Sequence, residues 1–173
     1  QGLDIDGDER NDNALGAVFG TLRGAGFDIQ PDVTAAVRNG GILLGLDVQT
    51  PSLRDANLVG LQAFRGLAAV PAPCTSSDPQ SCGQHLLGNA QIRVAPALLA
   101  NYATGQLHQG EATTFADELT LKLALGNDVL IDVNLHDVVV RLTDLTTTTA
   151  NATFAGVVSE QDVHDIVIPQ AAK

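Results

Sequence analysis

The densest set of metal-type ligands in the chain lies near its start, in Asp4-Ile-Asp6-Gly-Asp8-Glu-Arg-Asn-Asp12. Carboxylates at alternate positions of a tight loop can turn to one side, so Asp4, Asp6 and Asp8 supply side-chain oxygens. Arg10 adds its backbone carbonyl, and Asp12 adds one or two oxygens more. An all-oxygen donor set suits calcium, which takes six to eight oxygens at about 2.3–2.6 Å. Magnesium fits less well, because it demands a stricter octahedron and keeps its waters. The competing reading is a solvated acidic tail, the usual fate of a terminal charge run. Five acids among the first twelve residues repel one another, and a bound cation relieves that repulsion.

The spacing resembles the D-x-D-x-D-x-x-x-D calcium loops of integrin-type propellers, thrombospondin type 3 repeats and EF-hand-like modules. The likeness covers about nine residues, so it implies a Ca2+ site and neither a fold nor an activity. Two positions depart from the EF-hand. Its sixth residue, normally Gly, is Glu9, and its twelfth, normally a bidentate Glu, is Leu15. The shorter loop type is expected, with Asp4, Asp6, Asp8, Arg10 and Asp12 as ligands.

The second pair with chemistry is Cys74 and Cys82, at the ends of a polar loop that follows Pro71 and Pro73. No paired C-x-x-C or H-x-x-x-H spacing offers zinc its four ligands. A disulfide is the better expectation, closing a ring that restrains the unfolded chain by ~2–3 kcal/mol. Disulfides persist in oxidising compartments. The chain opens on Gln1 rather than Met, and its composition is rich in Ala, Gly, Val and Leu and poor in lysine. These features together predict a secreted, periplasmic or cell-surface protein of a bacterium, with any signal peptide removed.

Catalytic patterns are sparse. His85, His108, His136 and His164 form no H-x-H, H-x-x-x-H or H-E-x-x-H spacing, and none of the serines sits in a G-x-S-x-G elbow. Asp162, His164 and Asp165 are expected to face water on a terminal helix, and His136-Asp137 to occupy a solvent-facing corner. No dinucleotide loop, P-loop or haem motif occurs. A non-enzymatic role is expected. Carbohydrate clefts lean on Trp and Tyr platforms, whereas this chain has no Trp, one Tyr (Tyr102) and five Phe. Phe19, Phe64, Phe115 and Phe154 are assigned to the core, which disfavours a sugar-binding module.

The elements that must carry these residues are read from periodicity. Leu15, Val18, Phe19 and Leu22 form a helical stripe, and a second short helix starts at Pro31 and closes at Asn39-Gly40-Gly41. From Ile42 the period changes to 2, which predicts strands at 42–48, 58–66 and 91–94. The Leu119–Leu125 and Val129–Leu135 runs flank Gly126-Asn127-Asp128 and read as a hairpin. After Leu135 the apolar set resumes at Val138, a step of three that predicts a bulge at His136-Asp137. Residues 146–154 read as extended, and Ser159 to Asp162 as a capping box for a helix ending before Pro169. The expected fold is α+β or mainly β: an antiparallel sheet, as a sandwich or curved sheet, with short N-terminal helices and a short C-terminal helix.

One domain over 1–173 is expected: metal loop 1–12, helical segment 13–40, sheet 41–158 with its disulfide loop at 71–84, and helix 159–168. The net charge of -11 and the scatter of the nine basic residues exclude a nucleic-acid partner. No apolar run reaches the ~20 residues of a membrane span. The function expected is a calcium-stabilised extracellular or cell-surface structural domain, partnered by other copies of itself in a surface assembly or filament. The alternative is a carrier for a lipid or other apolar ligand, enclosed by the Leu/Val/Ile-rich sheet.

Overall fold

The structure is a computed structural model that describes residues 23–24, 28–97, 102–124 and 130–171. Helix α1 (Gln30–Asn39) opens with Pro31 in its first turn and ends at Gly40, whose N–H donates to the Val37 carbonyl. Seven strands follow: β1 (Leu44–Gln49), β2 (Ala56–Val70), β3 (Gln91–Ala97), β4 (Ala103–His108), β5 (Glu111–Ala124), β6 (Leu130–Thr143) and β7 (Asn151–Val157). They form one antiparallel sheet in the order β1-β2-β4-β5-β6-β7, with β3 also pairing β2. Strand β2 is the spine. Its first half pairs with β4 and its second half with β3, so β3 and β4 lie in line along one side while β1 covers the other. The predicted fold class is the observed one, an antiparallel sheet with short helices.

Side chains from β1, β2, β4, β5, β6 and β7 meet in a single apolar cluster, which includes Val59, Leu61, Leu107, Leu119, Val140 and Leu142. Leu61, Leu119 and Leu142 are wholly buried. Burial of one such side chain contributes about 1.5–3 kcal/mol, so this inner face is the main source of cohesion. Ile131 and Val133 anchor a smaller cluster at the far end of the β5–β6 hairpin.

The predicted hairpin is present: Leu119 pairs with Leu135, Leu121 with Val133 and Leu123 with Ile131. Its turn lies outside the described residues. The predicted bulge is also present, between His136 and Val139 where β6 pairs with β7, and Asp137 adopts φ 49°. Strand β5 makes the same irregular step. Its inward residues run Ala112, Thr114, Ala116 and then Leu119, so Asp117 falls opposite Asp137 and the β5–β6 register stays unbroken. The two strands therefore exchange faces together.

Three elements differ from expectation. Residues 146–149 make a turn, in which the Thr146 hydroxyl bonds to the Thr149 carbonyl at 3.1 Å and receives its N–H at 2.9 Å. Strand β4 and its two-residue hairpin to β5 were not predicted. The C-terminal helical segment, capped by Ser159, continues through Pro169 to Ala171. Val163–Val167 is π-helical there, with Ile168 N–H donating to the Val163 carbonyl five residues back. The wider turn makes room for a proline ring that would collide with an α-helical carbonyl.

Candidate functional site

Of the residues singled out by sequence, Cys74 and Cys82 are joined in a disulfide. The loop between them is set by Asp78, whose carboxylate accepts from Gln80 N–H at 2.9 Å, and by Ser81, whose hydroxyl donates to the Asp78 carbonyl at 2.7 Å. The Arg38 guanidinium of α1 reaches the Cys82 carbonyl at 3.3 Å, which ties the helix to the loop. His85, just beyond, is 5% exposed, and neither ring nitrogen has a hydrogen-bond partner.

Asp4, Asp6, Asp8, Arg10 and Asp12 lie outside the described residues, as does the helical stripe from Leu15 to Leu22. Among the described residues, no three His, Cys, Asp or Glu side chains are grouped to hold a metal. His136 Nε2 lies 3.7 Å from Asp162 Oδ2, joining the β6 bulge to the C-terminal segment. His164 stands in solvent beside Asp165 at 3.1 Å. The Ser159 hydroxyl is taken up as the cap of that segment, accepting from Asp162 N–H at 3.0 Å.

An open hollow in the sheet was not foreseen. It is an open cleft of about 650 Å³ on the outer face of β1, β2 and β4, with Tyr102, Leu58, Pro51, Asn57, Gln49 and Thr104 among its lining. Tyr102 precedes β4 and stands on the same face as Thr104. Its ring lies over Gly60 of β2, where a Cβ would meet Cδ1 at 3.4 Å. Glycine at this position leaves room for the Tyr102 side chain to rest against the strand, with Cγ and Cβ also within 4 Å of that Cβ position. Gln49, opposite Gly60 in the β1–β2 register, donates from Nε2 to the Tyr102 hydroxyl at 3.1 Å and to Asp47 Oδ2 at 3.0 Å. Both hydrogens of that amide nitrogen are thus used, so Gln49 Oε1 is left as an acceptor and the Tyr102 hydroxyl keeps its own hydrogen to donate.

Phe115 extends the same face. It pairs with Thr104 across the β4–β5 ladder and is 60% exposed, while Tyr102 is 43% exposed. The assignment of Phe115 to the core is therefore corrected: the parity exchange at Asp117 turns it outward. Past Asn57 the cleft meets a smaller hollow of about 290 Å³ lined by Gln106, Asp55 and His108. There His108 Nδ1 lies 3.2 Å from Asp55 Oδ1, which also accepts from Gln109 N–H at 3.0 Å. Among the described residues, no charged side chain lines the main cleft, although the chain as a whole carries a net charge of -11.

No protein-family model, curated protein or solved structure matches this chain. Fold and site therefore define its class: a disulfide-bearing antiparallel β domain with an open aromatic cleft on its outer face. No helix among the described residues is long and apolar enough to cross a membrane.

Proposed function

We propose that the chain is a calcium-stabilised extracellular or cell-surface structural domain, non-catalytic, that works as a subunit of a surface assembly. The observation that carries this reading is the Cys74–Cys82 bond in a polar loop clasped to α1, since disulfides persist in oxidising compartments. The spacing of Asp4, Asp6, Asp8, Arg10 and Asp12 supports the metal, a reading that rests on the sequence alone. Self-association follows from the two-sided character of the sheet. Its inner face is filled, and large apolar side chains such as Leu67, Val70, Ile92 and Val94, away from the cleft, remain on the surface. The apolar-carrier alternative would need a different place for its ligand, because the inner face is occupied by its own wholly buried side chains.

Native mass determination of the full chain, with calcium and with chelator, tests this reading. One calcium per chain and a discrete assembly of copies are the expected outcome. A monomer with no bound metal at millimolar calcium overturns it.

A further inference from the structure

We propose that the cleft over Gly60 is a binding site for a neutral glycan, with one sugar ring stacked on Tyr102 and the chain running towards Phe115. The inference goes beyond the structural role above and does not depend on the metal loop.

Three observations lead to it. The first is the tyrosine ring seated against glycine. A pyranose presents a face of C–H groups that is apolar and slightly electropositive, and it packs on the electronegative face of an aromatic ring. Tyr102 rests against Gly60, is fixed at its hydroxyl by Gln49 and lines the cleft, so the aromatic contact is in place before any ligand arrives. The second is the adjacent donor and acceptor. Gln49 and Tyr102, joined at 3.1 Å, keep an amide acceptor and a hydroxyl donor between them, matching the two roles that vicinal sugar hydroxyls play at once. Asn57, exposed at the cleft, adds an amide able to do both. The third is charge. No basic side chain stands among the described lining residues, and the carboxylate beside them, Asp47, accepts from Gln49 Nε2 at 3.0 Å, which disfavours an anionic ligand.

The shape of the cleft separates this ligand from its rivals. An acyl chain in so open a cleft would keep much of its surface in water and gain little. A sugar turns its hydroxyls to that same water without penalty. An extended peptide would use the backbone groups of a free sheet edge, whereas Gly60, beneath Tyr102, is already paired to Gln49 on one side and Thr104 on the other.

The test uses the full chain on an array of neutral oligosaccharides, with heparin as the charged arm, cis-parinaric acid as the aliphatic arm and an uncharged random-coil peptide as the third. Binding to at least one neutral glycan is expected. Tyr102→Ala and Phe115→Ala should each weaken it roughly tenfold or more, as removal of a central aromatic contact does. Leu87→Ala, on an exposed segment away from the cleft, should leave it unchanged. Tyr102→Phe keeps the ring and loses the donor, so an intermediate loss is expected. Each variant should unfold within about 2 °C of the parent. Chelator should leave glycan binding intact even where it disperses an assembly, so the two proposals fail separately. Silence across the neutral array overturns the site, as does binding that survives both aromatic substitutions. Tyr102-dependent binding of heparin, parinaric acid or the peptide in place of glycan overturns it equally.

Discussion

Phe115 and His85 are two side chains whose surroundings run against their residue type. Phe115 is outward because alternation in β5 changes parity at Asp117: the residues inward after the break are odd, and those before it are even. Carrying the Leu119–Leu123 parity backwards puts Phe115 inside, and the error disappears once the bulge legible on β6 is imposed on its partner strand. The adjacent acids Asp117 and Glu118 were the visible signal. Tyr102 left no comparable signal, since its platform depends on Gly60 and Gln49 from strands far apart in sequence. His85 is the opposite case, a polar ring buried with no partner. An unsatisfied buried donor or acceptor costs about 1–3 kcal/mol, and an apolar side chain of similar volume removes that cost. We therefore expect His85→Leu to leave the thermal midpoint unchanged or raise it. A fall worth more than about 1 kcal/mol in thermal unfolding would mean that the ring is bonded in solution.

At the scale of elements, strands with long single-parity runs were legible and those set by turn chemistry were not. β1 and the distal β5–β6 hairpin announce themselves by four apolar residues in alternation. β4 does not, because its sequence Ala-Thr-Gly-Gln-Leu-His is short and carries Gly105 in mid-strand. What makes it a strand is the two-residue turn after it. Gln109 and Gly110 both take positive φ, 53° and 86°, the backbone that closes a tight hairpin of matching twist. The turn is also held from outside, by Gly110 N–H to the Arg54 carbonyl at 2.8 Å and Gln109 N–H to Asp55. Gln pays a steric penalty in this left-handed region that Asn largely escapes. Gln109→Asn keeps the N–H and should stabilise by about 0.5–1 kcal/mol in denaturant unfolding with the slope unchanged. A loss of stability would show that the Gln109 side chain makes a contact worth more than the strain. The C-terminal helix illustrates the same limit, because Pro169 is a reliable stop signal only for α-helical geometry and a π turn precedes it.

For the whole molecule the governing quantity is charge. Twenty acidic residues face nine basic ones, and a quarter of the acids fall within the first twelve positions. Ion pairs on the sheet offset little of this. Arg141–Glu111 at 2.7 Å and Lys122–Asp132 at 2.9 Å are both partly exposed, where such pairs contribute about 0–1 kcal/mol. Self-repulsion therefore persists in the folded state, and two agents can reduce it by different routes. Monovalent salt screens all charges at once, with a reach of about 10 Å at 0.1 M. In the function proposed above, a calcium ion held by Asp4, Asp6, Asp8 and Asp12 would act at one place and bind the folded form. Extracellular sites with Kd near 10⁻⁴–10⁻³ M give about 1 kcal/mol at a few millimolar calcium, through the mass-action term for a ligand of the native state. That corresponds to a rise of about 2–4 °C for a chain of this size. We expect this rise with calcium, and a smaller one with sodium chloride at equal ionic strength. Asp6→Ala together with Asp12→Ala should abolish the excess, leave the salt response in place and leave the Cys74–Cys82 bond formed. Differential scanning calorimetry in matched buffers reads all three. An equal rise with either salt, or a calcium excess that survives the double substitution, would assign the effect to screening and remove the metal from the account.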